Sequence, residues 1–371
     1  MLKKIKHDPT LNSQGQGFAP GKLYLAGEYA VLAPRQPAIL LALNRYVKVT
    51  IKPSSTLNQG ILSQAKGQAD YHYQRQNGSI PQKEAYWTYC LAAIQIVEVL
   101  FRQKGQVIAD YHLETMSDLV EEVSGKKFGL GSSGAITVAT IRALLDFYGY
   151  QADSPLDVYK LAVLALVNLG NNGSFGDLAA AAFGGWVYYQ APDRQWLADQ
   201  VSQNQTIDFF LENSWPNLQI ESLPVPSKID FLVAWTQSPA SSDHFVANFK
   251  EASQQEPQRY QEFLAENKDA VLALKTALIQ DDVGQSQSLI NKIGQQLDNL
   301  SHHLKLGILT PQLETMISLA QVYGYAAKSS GAGGGDCGIA LGGLEARKTD
   351  LIRAWEKQEI TYLDLQISQT F

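Results

Sequence analysis

The sequence predicts an α+β chain of two domains, and three observations carry that expectation. Its 371 residues exceed the size at which one hydrophobic core stops growing. Strand-like and helix-like stretches follow one another in mixed order, which argues against one doubly wound parallel sheet. A polar stretch from about 191 to 225, interrupted by Pro216 and Pro224 and followed by Pro226, has the composition of a connection. It places the domains at 1–200 and 201–371.

The elements follow in order. Val47, Val49 and Ile51 alternate with Lys48, Thr50 and Lys52, a half-buried strand ended by Pro53. The Gln-, Ser- and Gly-rich stretch 54–78 reads as short strands or loops. Tyr86, Cys90, Ile94, Val97 and Phe101 recur at helical spacing, so 83–101 is an amphipathic helix stopped near Gly105. A second helix covers 135–148, with Ser132 or Ser133 as its cap and Gly149 at its end. Ser154-Pro155 opens a third, through Leu169. After Asn171-Asn172-Gly173-Ser174 come a small-residue run, 178–183, and an aromatic strand, 186–190. The second domain starts with a buried strand at 229–235. Helical stretches follow at 245–277, 281–304 and 311–323. A glycine-dense loop, a strand at 338–341, a helix at 345–357 and a last strand near 360–367 complete it.

Bulk properties exclude several classes of function. Hydrophobic residues make up 45% and charged residues 18%, ordinary values for a folded soluble protein. The formal net charge of −6 disfavours a nucleic-acid partner. Cys90 and Cys337 have neither metal nor redox spacing and read as reduced thiols. The basic start, Met1-Leu2-Lys3-Lys4-Ile5-Lys6, runs into polar sequence, not the apolar segment of a secretory signal. The apolar run Leu161 to Val167 is far shorter than the ~20 residues of a membrane helix. A cytoplasmic protein with no membrane partner is expected.

Three small-residue stretches point to phosphate chemistry. They are Ala19-Pro20-Gly21-Lys22-Leu23-Tyr24-Leu25-Ala26-Gly27-Glu28-Tyr29, Gly129-Leu130-Gly131-Ser132-Ser133-Gly134, and Lys328-Ser329-Ser330-Gly331-Ala332-Gly333-Gly334-Gly335-Asp336. Small residues let main-chain N–H groups approach an anion, and each stretch has a lysine in or beside it. The second matches GxGxxG, but its lead-in is mostly polar and Asp146 comes too early for the ribose acid of a dinucleotide site. No GxxxxGK[ST] loop occurs. What remains is a phosphate cradle at the start of the 135–148 helix, where Ser133 is placed to offer its hydroxyl to Mg²⁺. A glycine turn with a serine cap would leave the same trace in the sequence. The third stretch reads either as a flexible hairpin or as backbone lying against a ligand. Asp177 reads either as a helix N-cap or as an acid beside the transferring phosphoryl group. Ser241, Ser242 and His244 follow a strand and are placed to face a cleft. His302-His303 reads as a solvated helical pair.

Taken together, the three stretches resemble the signature motifs of the GHMP kinases, in the family's order and across the whole chain. The likeness is greatest to the bacterial phosphomevalonate kinases of that family. Gly27-Glu28-Tyr29 stands where mevalonate kinases carry Gly-Glu-His, and Ser132-Ser133-Gly134 where many relatives have Ser-Ser-Ala. The resemblance implies a ribosomal protein S5 domain 2-like N-terminal domain and a ferredoxin-like C-terminal domain, with the active site between them. It implies ATP with Mg²⁺, and phosphomevalonate as the phosphoryl acceptor. It gives catalytic roles to Lys22, Lys127 and Asp177, and ATP contacts to Gly129, Leu130, Gly131, Ser132, Ser133 and Gly134. Substrate contacts fall to Lys22, Lys127, Ser174, Ser330, Gly331, Ala332 and Gly333.

A phosphate acceptor is already charged at pH 7, so charge screening by Lys22 and Lys127 is expected to matter more than a base. In this reading Asp177 orients Lys22. A hydroxyl acceptor, as in mevalonate or homoserine kinases, would make Asp177 the base and leave Lys126 and Lys127 without a partner. A non-catalytic ligand sensor on the same fold is the remaining alternative, and retention of Lys22, Ser133 and Asp177 argues against it.

Overall fold

The computed structural model describes residues 11–65, 70–82, 85–121, 124–150, 152–238 and 242–371. The first unit is built on β1 (Gly15–Ala26) and β2 (Pro37–Pro53), antiparallel along most of their length. On its other edge β2 pairs in its first half with β6 (Trp186–Gln190) and in its second half with β5 (Tyr111–Ser117). β3 (Gln59–Gln64), β4 (Tyr71–Gln74) and β7 (Gln219–Leu223) complete a seven-stranded sheet. Helices α1 (Thr88–Gln103), α2 (Ser132–Phe147), α3 (Pro155–Asn168) and α4 (Gly176–Phe183) belong to this unit.

α2 packs directly on β1, and glycine makes the approach possible. A methyl group on Gly17 would lie 2.2 Å from the Ala139 carbonyl oxygen. Lys22 N–H donates to the Leu130 carbonyl at 2.8 Å, so the first motif is tied to the loop that opens α2. Register shifts at Pro20/Gly21 and Tyr24/Ala26 bend β1 beneath that loop.

Past β6, the stretch expected to be a connection folds. α5 (Arg194–Ser202) is capped by Asp193 and α6 (Ile207–Glu212) by Thr206. β7 then hydrogen-bonds to β6, so the first sheet runs to Leu223, past the boundary expected at residue 200.

The second unit has the order βαββαβ. It consists of β8 (Ile229–Trp235), α7 (Ser242–Gln255), α8 (Pro257–Ile279), α9 (Val283–Leu304), α10 (Pro311–Val322), β9 (Tyr325–Ser329), β10 (Cys337–Gly343), α11 (Lys348–Glu356) and β11 (Thr361–Leu363). Its sheet runs β11-β8-β10-β9 with every pair antiparallel, the ferredoxin-like arrangement. α10 and α11 bury Met316 and Trp355 on one side of the sheet. Residues of α8, α9 and the other sheet face join the core of the first unit in one continuous apolar cluster. The chain's last residues return to the first sheet, where Ile367 bridges Leu43 and Thr370 bridges Gly184. Among the described residues, no helix is long and apolar enough to cross a membrane.

Candidate active site

The site is organised by the first turn of α2. Its N-cap is Gly131, in the left-handed conformation (φ 74°), with no side chain to bond the first amides. Ser132 and Ser133 lie inside the helix, so neither is the cap expected from the sequence. The amides of Ser132, Ser133 and Gly134 come before the first intrahelical donor, Ala135 N–H, which bonds the Gly131 carbonyl, and the helix dipole adds partial positive charge there. A methyl group at Gly131 would sit 2.8 Å from Lys22 Cε, and one at Gly134 would sit 2.6 Å from an Asp177 carboxylate oxygen. Lys22 and Asp177 thus flank one helical turn, from positions 155 residues apart in the chain. The Lys22 ammonium also lies 5.4 Å from the centre of the Tyr24 ring.

Asp177 sits in the first turn of α4 rather than at its N-cap, which is Phe175. The loop before α4 rests on tyrosines. The Tyr24 hydroxyl lies 2.9 Å from Ser174 Oγ, Tyr189 donates to the Ser174 carbonyl, and Tyr159 and Tyr189 hydroxyls meet at 2.9 Å. Burial raises the pKa of Tyr24, and the charges of Asp177 and Glu28 add to the effect while the Ser174 bond opposes it. The phenol therefore stays protonated.

The third motif is closed against the first. Ser330 Oγ accepts from Tyr24 N–H at 3.0 Å and donates to the Tyr24 carbonyl at 2.8 Å. The Tyr29 hydroxyl donates to the Ala332 carbonyl. Lys328, 1% exposed, forms an ion pair with Glu28 and donates to the Ser329 carbonyl at 2.7 Å. The other Glu28 oxygen, Oε2, is buried and has no hydrogen-bond partner among the described residues. On the other side, Cys337 donates to the Phe128 carbonyl at 3.1 Å, and Phe128 packs edge-on against Trp235.

Comparison with known proteins assigns the chain. The model for the GHMP kinases N-terminal domain matches residues 91–185, and that for the GHMP kinases C-terminal domain matches 274–360. The chain is 36% identical to a phosphomevalonate kinase of Streptomyces sp. (strain CL190), over 94% of this chain and 95% of that one. This chain belongs to the GHMP kinase family. Among solved structures, a Listeria innocua protein, Lin0012, superposes with a TM-score of 0.89 and 32% identity, covering 96% of this chain and 99% of its own. The Streptococcus pneumoniae phosphomevalonate kinase in complex with phosphomevalonate and AMPPNP superposes with a TM-score of 0.83 and 31% identity, covering 95% and 99%. GHMP kinases therefore include a close structural relative that holds an ATP analogue, and this family member is an ATP-binding kinase.

Within this GHMP kinase, Lys22, Asp177 and the 129–134 loop come together. Lys127 does not join them by any direct contact among the described residues. It is exposed, on an isolated bridge to Val120. Ser174 is half-buried and reaches Tyr24. Of the third motif, Gly331 faces open space, whereas methyl groups on Gly333 and Gly334 would strike Ile308 and Phe245. Most of that glycine density is demanded by protein packing, not by an approaching ligand. Lys328 and Ser329, expected in the loop, are the last residues of β9. Ser241 and the side chains of Ser242 and His244 lie outside the described residues. Sequence reasoning missed Tyr24 and the Glu28–Lys328 pair. The signal available for Tyr24 was its place two residues from Lys22, on the same side of a strand.

Proposed function

We infer that this chain transfers the γ-phosphoryl group of ATP to 5-phosphomevalonate, giving 5-diphosphomevalonate, in the mevalonate pathway of isoprenoid biosynthesis in the cytoplasm. The observation that supports this most is the convergence of Lys22 and Asp177 on the uncapped first turn of α2. It occurs in a chain 36% identical to a phosphomevalonate kinase.

The amides of Ser132, Ser133 and Gly134 receive the nucleotide phosphates, aided by the dipole of a 16-residue helix. Gly129 and Gly131 adopt positive φ and leave room for the Asp336 and Lys22 side chains against the loop, and Leu130 fixes the loop to Lys22 through its carbonyl. The open turn and the Ser133 hydroxyl suit a nucleotide that arrives with Mg²⁺. When bound, the ion would be held in part by Ser133 and would neutralise phosphate charge.

The acceptor phosphate has a second pKa of about 6, so most of it is dianionic at pH 7 and needs no strong base. The harder problem is bringing two anions into line, since the loose transition state asks for alignment and charge stabilisation. Lys22 supplies a cation at the point of transfer, with its stem held against Gly131. Asp177, on the same turn, orients that ammonium. Ser174, Gly331, Ala332 and the rim lysine Lys127 hold the acceptor, and Ser330 and Gly333 shape the loop that presents it.

A coupled ADP-release assay across phosphomevalonate, mevalonate, homoserine and galactose tests the reading. Turnover with phosphomevalonate at least a hundredfold above the others is expected. Preference for mevalonate would overturn the acceptor assignment, and ADP release with none of the four would overturn kinase activity on this class.

A further inference from the structure

We propose that Tyr24 is a positioning residue that fixes the Ser174 hydroxyl as a hydrogen-bond donor to the anionic acceptor; this rests on the phosphomevalonate kinase reading above.

Tyr24, inside the first motif, touches the third motif and the loop before α4 at once. Its main chain is held in both directions by Ser330, its ring lies under the Lys22 ammonium, and its hydroxyl reaches Ser174 Oγ at 2.9 Å. Its side chain is 9% exposed. A methyl group at Gly176 would lie 2.7 Å from the phenol oxygen, so the hydroxyl is confined against the loop that carries Ser174.

Hydrogen-bond capacity gives this contact its meaning. A serine hydroxyl has one proton and two lone pairs. Ser174 Oγ accepts from the Gly176 N–H at 3.4 Å. The Tyr24 phenol, kept neutral by burial, has a proton to give. With Tyr24 donating, both lone pairs of Ser174 are occupied, and its own proton is left to point away from the protein. Only then does the residue offer a donor to a phosphate or carboxylate oxygen. The opposite polarity, with Ser174 donating to Tyr24, would spend that proton inside the protein and turn a lone pair toward an anion. Tyr189, donating to the Ser174 carbonyl, holds the main chain still while the hydroxyl is aimed.

The experiment compares wild type, Tyr24→Phe, Ser174→Ala and the double variant, measuring KM for phosphomevalonate, KM for ATP, kcat and thermal midpoint. Tyr24→Phe keeps the ring beneath Lys22 and removes only the hydroxyl. Its expected effect is a rise of roughly tenfold in KM for the acceptor, the scale of one hydrogen bond to a charged group. KM for ATP should be unchanged. Ser174→Ala should match it, and the double variant should add little to either. Three results would overturn the proposal: a Ser174→Ala effect without a Tyr24→Phe effect, fully additive effects, or a Tyr24→Phe loss spread equally over both substrates with a large fall in melting temperature. No acceptor effect in Ser174→Ala would overturn it as well. Failure of the wild type to use phosphomevalonate would instead sink the underlying reading, and the wild-type measurement alone detects it.

Discussion

The junction of 24–29 with 328–332 and the rim that carries Lys126 and Lys127 both hold lysines beside glycine-rich sequence, and they use them in opposite ways. In the junction Lys328 is buried against Glu28, 300 residues away in the chain. On the rim Lys127 is exposed and the Lys126 ammonium donates to the Gln237 carbonyl at 3.3 Å. Between the two stands Lys22, half-buried along Gly131. A lysine near a phosphate-type loop is therefore not evidence of a phosphate contact. Burial and the partner decide whether its charge serves the fold, the transition state or the encounter.

The largest effect is expected where the charge is most deeply buried. Lys328→Met leaves the Glu28 carboxylate in the interior with no countercharge. Breaking such a pair from one side costs about 3–5 kcal/mol, far more than deleting both charges together. The thermal midpoint of Lys328→Met should fall steeply, and Glu28→Gln added to it should recover much of the loss. A Lys328→Met protein that melts like wild type but turns over slowly would move Lys328 from the junction to the chemistry, and the contrast would fail.

Lys22 tests the middle ground. Its stem packs on Gly131 and its ammonium lies over Tyr24, at the turn shared with Asp177. Lys22→Met keeps the packing and removes the cation, so stability should change little. By analogy with loss of one preorganised charge-stabilising group, kcat should drop by about 10²–10³. Asp177→Asn should lower kcat without abolishing an acidic limb of the pH–rate profile, since the acceptor phosphate titrates near pH 6 by itself. Loss of an acidic limb in that variant alone would restore base catalysis to Asp177.

How much of this was legible follows from distance along the chain. The strands Trp186–Gln190 and Ile229–Trp235 read directly, because apolar and aromatic residues leave little doubt over so short a run. α3 was legible from Ser154-Pro155, and the break between α7 and α8 falls at Pro257 as its ring demands. β9 was not, because Tyr325-Ala326-Ala327-Lys328-Ser329 is buried on both faces and so shows no alternation. α5, α6 and β7 were taken for a connection because the surrounding stretch is polar and broken by prolines, although α6 carries Ile207, Phe209, Phe210 and Leu211 and although Asp193 and Thr206 mark the helix starts. In the site, groups within one motif could be read, since their spacing is local. Ser330 bonding to Tyr24, or Tyr29 to Ala332, could not, because only the folded sheet brings those positions together. The tyrosine in Gly27-Glu28-Tyr29 gains a physical reason there, since its phenol spans the junction to a carbonyl.

Lys127 gives the smallest and most condition-dependent effect. An exposed ammonium about 4 Å from one phosphate charge is worth about 1 kcal/mol in water, and more only if the site excludes solvent on binding. Lys127→Ala should therefore lower kcat/KM for phosphomevalonate by about fivefold at low ionic strength. Salt screens exposed charges over roughly 10 Å at 0.1 M, so the deficit should shrink as salt rises, while that of Lys22→Met persists. The melting temperature should not move, because Lys127 makes no ion pair among the described residues. A Lys127→Ala defect as large as that of Lys22→Met, and equally indifferent to salt, would mean that the rim closes over the acceptor and buries this lysine in the complex. Rim and junction would then differ only before substrate arrives.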